Sequence, residues 1–355
     1  MAPSSRLEDA CRGVTVPSAT VAAAAQALLD DKTKPPGSLG RLEALAVWYA
    51  AARGEARPPR PRPVSVVCAG DHGVTAGGVS AYPAEVTAQM VANFAGGGAA
   101  INVLARAAGA ELIVVDVGVA GPPPPSPVRD RRVRPGTRDM RFEAAMTRDE
   151  TLAAIGVGLD LADELNDQGA TLVGLGEMGI GNTTAASALT AAFCGRTPAE
   201  VTGRGTGIDE AGRTRKIAAV AAALTRHAVD AADPLGTLAA LGGFEIATLA
   251  GLTIGCAAHR VPVVTDGFIA TAAALAASRL CPAVRPWLLA AHRSVEPGHA
   301  AQLADLGLEP LLDLGMRLGE GTGAALAFPI VDAAIRILHE MASFGEAGVS
   351  TAVDA

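Results

Sequence analysis

Aromatic side chains are nearly missing from this chain: two Trp, two Tyr and seven Phe make up 3% of its 355 residues. Half the residues are hydrophobic, so a core of the size that this length allows must be filled by Ala, Val, Leu and Ile. Cysteine is sparse as well. Cys11, Cys68, Cys194, Cys256 and Cys281 form no C-x-x-C pair, which excludes a disulfide framework or a cysteine zinc site and predicts reduced, mostly buried thiols. A basic excess is also lacking. The 29 Lys and Arg face 36 Asp and Glu, a net charge of −7, which excludes a nucleic-acid partner and fits a cytoplasmic protein kept soluble by net repulsion. Residues 1–9 carry Glu8 and Asp9 and no basic-then-apolar run, so no signal peptide is expected. The most apolar stretch, residues 238–258, is interrupted by Gly242, Gly243 and Glu245 and closed by His259 and Arg260. That pattern predicts a buried helix and no membrane span.

Glycine, in contrast, is abundant at 41 residues. Short β-branched runs at 64–69, 112–117, 171–175, 261–265 and 287–290 have the form of buried strands. Ala-rich segments at helical spacing, 86–108, 152–165, 217–229 and 269–279, lie between them. Strand then helix, repeated, predicts an α/β fold with a mostly parallel sheet flanked by helices. An Arg- and Pro-rich linker at 53–63 and a strong last helix at 324–342 imply that both chain ends supply helices to a smaller unit. Residues 120–138, with four consecutive prolines and several arginines, read as a solvated loop, with phosphate contact by its arginines the alternative.

Glycine clusters follow the strand candidates, where open α/β sheets bind ligands. They are Gly70-Asp71-His72-Gly73, the stretch from Gly174 to Thr184, Asp266-Gly267, and the stretch from Gly315 to Gly323. The second holds G-x-G-x-x-G at Gly174, Gly176 and Gly179, yet the acid expected about 20 residues on falls near Glu200, after a Thr-Pro turn and no strand. It also nearly spells a P-loop from Gly176 to Thr183, with Asn182 in place of the lysine. Neither motif is complete, but glycine-rich backbone at a helix start offers N–H groups to an anion. Residues 202–207 offer the same, and an ordinary tight turn is the alternative at each cluster. Asp71 and His72 read as loop-positioning groups. A metal site with His292 and His299 would need an H-x-x-x-H or a carboxylate array that the sequence lacks. Glu320, between Gly319 and Gly321, reads either as a helix N-cap or as a general base aimed into a cleft.

Taken in order, Lys34-Pro35-Pro36-Gly37-Ser38-Leu39-Gly40, Ala69-Gly70-Asp71-His72-Gly73-Val74, Gly78-Val79-Ser80-Ala81-Tyr82-Pro83 and Thr87-Ala88-Gln89-Met90 share one pattern with Gly176-Glu177-Met178-Gly179-Ile180-Gly181-Asn182-Thr183-Thr184, Gly242-Gly243-Phe244-Glu245-Ile246-Ala247, Asp266-Gly267-Phe268-Ile269 and Arg317-Leu318-Gly319-Glu320-Gly321-Thr322-Gly323-Ala324-Ala325. The set resembles the nicotinate-nucleotide–dimethylbenzimidazole phosphoribosyltransferase family. Only the loop at 120–138 departs from it.

The resemblance implies a Rossmann-like domain over residues 61–315, a smaller helical domain from 1–60 with 316–355, and a homodimer. It implies that nicotinate mononucleotide and 5,6-dimethylbenzimidazole become α-ribazole 5′-phosphate and nicotinate, without cofactor or metal, in cobalamin nucleotide-loop assembly. Glu320 would be the catalytic base. Ser80, Tyr82, Gln89, Glu177, Met178 and Leu318 would take the base. Gly179, Gly181, Asn182 and Thr183, with Gly203, Gly205, Lys216 and Ser294, would take the nucleotide and its phosphate. A non-catalytic nucleotide or α-ribazole binder and a dinucleotide-dependent oxidoreductase are the alternatives.

Overall fold

A computed structural model describes residues 3–230 and 232–350 of the chain. Met1, Ala2 and residues 351–355 of the terminal segments lie outside the described residues, so the leader expectation for 1–9 falls partly beyond them.

Six parallel strands form one sheet: β1 (Pro63–Gly70), β2 (Glu111–Gly118), β3 (Arg129–Asp130), β4 (Leu172–Met178), β5 (Val263–Thr265) and β6 (Leu288–Ala290). Their order is β3-β2-β1-β4-β5-β6, that of a doubly wound Rossmann-like sheet. Residues that alternate along β1 serve two cores: Val66 and Cys68 pack with the helices of one face, Val67 and Ala69 with those of the other. On the first face, the helices Arg148–Asp167 and Phe244–Ala258 cross so closely that a Cβ on Gly158 or Gly251 would collide with the other helix's backbone. Small residues at this crossing do the work that aromatic bulk does elsewhere. On the opposite face the helices Ala19–Asp30, Arg41–Arg53 and Thr322–Glu340 share one apolar cluster with Leu172, Val264 and Leu289 of the sheet. Helices of residues 19–53 and 322–340 thus meet as a small layer beside the sheet, whereas the first helix, Pro3–Gly13, packs on the other face through Leu7.

Local chemistry explains several boundaries. Thr147 and Glu150 form a reciprocal capping box that opens the helix Arg148–Asp167 four residues ahead of the start at 152. Asp209 accepts from Gly212 N and starts the helix Glu210–His227, earlier than the expected 217. The single helix expected over 86–108 is two, Val86–Ala95 and Ala100–Ala107, because Gly96-Gly97-Gly98 intervenes and Gly97 takes a φ of +78°. The stretch 238–258 is likewise divided at Gly242-Gly243 between Pro234–Leu241 and Phe244–Ala258. Every residue from Phe244 to Ala257 is buried, as expected of a core helix. Among the described residues, Thr322–Glu340 is the one helix long and apolar enough to cross a membrane, and 56% of its apolar window is buried inside the fold.

The loop over 120–138 contributes β3 as a two-residue edge strand, which its composition did not announce. Most of its arginines pair with carboxylates, while the buried Nη1 of Arg134 has no hydrogen-bond partner among the described residues. Arg129 and Arg131 flank Glu164 at 2.7 Å each, and Arg138 holds Glu150 at 2.6 Å.

Candidate active site

Strand order reverses between β1 and β4, and the loops that leave the carboxyl ends of these strands part to opposite faces there. A cavity of about 320 Å³ opens beside this point, lined by residues that follow β4, β5 and β6 and by residues 317–319. The loops after β1 and β4 touch backbone to backbone, since a Cβ on Gly179 would overlap the Gly70 carbonyl. That contact requires glycine at 179.

The G-x-G part of the glycine cluster has a different purpose from the one the motif suggests. Gly174 and Gly176 lie inside β4, which runs three residues beyond the expected end at 175. A Cβ on Gly174 would come within 2.6 Å of the Phe328 ring, and one on Gly176 within 2.5 Å of the Glu320 carbonyl oxygen. These glycines admit the helix Thr322–Glu340 and the 319–321 turn against the sheet. Of the two motifs, both incomplete in the sequence, the dinucleotide one thus has its first two glycines and the P-loop its first inside a strand, not in a loop.

Asp71 and His72 position loops. An Asp71 oxygen accepts from Ala120 N at 2.8 Å, and His72 Nε2 meets Glu245 Oε1 at 2.7 Å with both side chains buried. Burial opposes a charge on His72, but the adjoining Glu245 outweighs it and raises the imidazole pKa. His292 stands 3.5 Å from Asp266, whereas His299 accepts from Ser294 N and pairs with Thr271. Burial pushes His299 down to about 3, so this ring is neutral. The four groups of the metal alternative therefore serve separate partners.

The two readings of Glu320 separate cleanly. Asp266, at the end of β5, accepts from Gly321 N at 3.1 Å, Gly323 N at 2.6 Å and Ala324 N at 3.2 Å. The cap of the helix Thr322–Glu340 is thus supplied from another strand, and Glu320 is free of that duty. Glu320 takes a φ of +62° between Gly319 at +87° and Gly321 at +83°, three left-handed residues in succession. Such a conformation is costly for a residue with a Cβ and is held by its surroundings. Its buried carboxylate accepts from Ile101 N at 3.3 Å, at the start of the helix Ala100–Ala107. Burial raises its pKa, and Asp266 adds to the rise against the pull of the Ile101 N–H.

At the end of β4, Glu177 is buried and accepts from Asn182 Nδ2. Burial first, then the nearby charges of Asp266 and Glu245, hold its pKa well above the carboxylate range. Lys216 donates to Thr183 Oγ1 at 2.5 Å, and burial pushes it down to about 8 although Glu296 works the other way.

Of the residues assigned from the sequence, Tyr82, Glu177, Met178, Leu318, Gly179, Asn182, Thr183, Gly205 and Ser294 line the cavity. Lys216 stands behind Thr183, and Gly181 behind Gly179 against Thr75 and His72. Glu320 follows the lining residue Gly319, with its carboxylate turned to Ile101. Ser80 meets Thr206, itself a lining residue, at 3.3 Å. Gln89 is exposed on the helix Val86–Ala95 and is outside the lining, and Gly203 borders an adjoining cavity. Glu296 and Arg317 line both cavities and were given no role by the sequence reading. The signal for Glu296 was its place in a strand-end loop just ahead of a helix-opening Pro297.

A family model described as Phosphoribosyltransferase matches residues 14–349. The chain is 57% identical over 334 residues to the nicotinate-nucleotide–dimethylbenzimidazole phosphoribosyltransferase of Roseiflexus sp. (strain RS-1), covering 94% of this chain and 95% of that one. It is 55% identical to the protein of the same name from Salinispora tropica, covering 90% and 92%. It is similar to the crystal structure of CobT from Thermus thermophilus, with a TM-score of 0.90 and 51% identity over 94% of this chain and 100% of that one.

Proposed function

This chain belongs to the nicotinate-nucleotide–dimethylbenzimidazole phosphoribosyltransferase family, and from that premise we propose how its strand-end cavity moves a phosphoribosyl group from nicotinate mononucleotide to 5,6-dimethylbenzimidazole. The chain is a phosphoribosyltransferase of cobalamin biosynthesis, and a non-catalytic binder or an oxidoreductase is not favoured. The products are α-ribazole 5′-phosphate and nicotinate.

The supporting observation is a single cavity bordered on one side by Thr183, with Lys216 behind it, and on another by the turn that carries Glu320. The donor's phosphate and ribose lie against Gly179, Asn182, Thr183 and Ser294, with Gly181, Gly203, Gly205 and Lys216 shaping or charging that end. The acceptor base lies against Tyr82, Glu177, Met178 and Leu318, with Ser80 and Gln89 toward the rim.

The donor's ring nitrogen is a cationic pyridinium, so nicotinate departs without a proton. The acceptor's lone pair attacks the anomeric carbon from the opposite side, which converts β to α. The acceptor ring would become cationic unless its other nitrogen loses hydrogen, and Glu320 takes that proton across about 3 Å. A carboxylate with a raised pKa is a stronger base, and its charge also stabilises an oxocarbenium-like ribose. Holding two bases on opposite faces of one sugar is the larger share of the work. No step calls for a cofactor or metal.

We also read the enzyme as a cytoplasmic homodimer without nucleic-acid or membrane partners, built from a unit at 61–315 and a helical unit from 1–60 with 316–355. The net charge of −7 and the apolar cluster shared by the terminal helices support this. Mass spectrometry of products from nicotinate mononucleotide and a panel of bases tests the reaction. Release of nicotinate together with α-ribazole 5′-phosphate is expected, and no nicotinate release would remove it.

A further inference from the structure

We propose that Glu296 is a built-in stand-in for the donor's phosphate: its carboxylate holds the Gly205 amide until a phosphate displaces it toward Arg317. The inference rests on the phosphate assignment above and deepens it. Gly205 and Thr183, with Lys216 behind Thr183, are among the groups assigned to the phosphate end. Yet in this structure Gly205 N–H already donates to Glu296 Oε1 at 2.9 Å. Glu296 is only 8% exposed, and its Oε2 has no hydrogen-bond partner among the described residues. The carboxylate also lies near enough to buried Lys216 to favour that residue's charge. A negative oxygen pair set on a backbone N–H beside a buried ammonium has the form of a bound phosphate edge.

A phosphate dianion and an ionised Glu296 cannot share one amide. They compete for the same donor, and like charges at contact repel strongly. Glu296 has somewhere to go, since it borders two cavities. The second, about 570 Å³, is edged by Arg204, Arg213 and Arg317. Arg204 and Arg213 already pair with Glu210 at 3.2 Å each. Arg317 donates to Gly205 O at 3.2 Å and has no carboxylate within 4.0 Å among the described residues. A displaced Glu296 would meet a guanidinium that no carboxylate holds among the described residues. The same displacement faces every phosphate that enters. A nucleotide adds ribose and base contacts that outweigh it, while free phosphate has only its own oxygens, so Glu296 keeps the site from filling with inorganic phosphate.

Competition of inorganic phosphate with nicotinate mononucleotide tests this in the purified full-length enzyme and in Glu296→Gln. Glutamine keeps an oxygen for the Gly205 N–H and removes the charge. The inhibition constant of phosphate is expected to fall roughly tenfold or more in the variant, because a like-charge opponent has gone. A residue that merely positions the loop would leave the constant unchanged, since the hydrogen bond survives. An unchanged or weaker phosphate inhibition overturns the inference alone. Absence of competition in both proteins would instead overturn the phosphate assignment, and the inference with it.

Discussion

Glu320 combines three properties rarely found on one side chain: a left-handed backbone, burial, and a partner that is a helix-start N–H. Glu320→Gln keeps the shape and the Ile101 contact but removes the base. Turnover is expected to drop about 10²–10⁴-fold with nucleotide affinity retained, measured by single-turnover kinetics and by equilibrium binding. Near-full turnover would take Glu320 out of the reaction. Lys216 gives a second residue-scale expectation. Its pKa is lowered from the ordinary 10.5 to about 8, so the charge is present below that pH and is lost as pH rises through it. The second-order constant for nicotinate mononucleotide, which reports the free enzyme, should therefore fall above pH 8. Lys216→Met should lack that limb, and a limb that persists in it belongs to another group. The sequence showed the chemistry of Glu320 and Lys216 only through the resemblance. Composition and spacing left Glu320 divided between cap and base, because the true cap, Asp266, stands 55 residues before Gly321 and acts across the fold.

Among the elements, β4 and the helix Thr322–Glu340 define the candidate site jointly. Gly174 and Gly176 looked like a ligand loop because glycine inside a strand is unusual and the strand's end was placed too early. Their role is visible only once Phe328 and the Glu320 carbonyl are seen pressed against them. Gly176→Ala would force a Cβ to within 2.5 Å of that carbonyl and 2.9 Å of Val67 Cγ2. Overpacking of this kind costs about 1–3 kcal/mol, and a shift of about 1 Å at a reacting group can cost 10²-fold in rate. The variant is expected to lose turnover beyond its loss in thermal stability. Gly156→Ala is the control, with open space around the added methyl and a helical backbone. It should gain up to about 1 kcal/mol, and equal losses in both variants would contradict the packing account. Helix existence was legible from Ala-rich periodicity, whereas breaks at 96–98 and 242–243 were not, since glycine inside such a run reads equally as tolerated or as a stop.

At the scale of the whole molecule, the alternation of strand and helix was enough to read a parallel sheet, but not the order of its strands. That order depends on long-range pairings such as Val173 with Val263, which local pattern does not encode. The aliphatic side chains Val295, Leu314 and Leu318 are each more than half exposed around residues that border the cavities. A second copy covering that rim is the expected reason. Light scattering on the purified enzyme should give twice the 35.5 kDa mass of one chain, and a mass of one chain would leave the rim without this partner.

Asp266 fastens the amino end of Thr322–Glu340 to the tip of β5, and the turn bearing Glu320 hangs from that fastening. During synthesis the sheet can form first, because domains gather from the amino end as the ribosome advances. The turn bearing Glu320 follows only after all six strands have emerged. A nascent chain released only as far as residue 316 would hold every residue assigned to the phosphate and still lack the turn that carries Glu320.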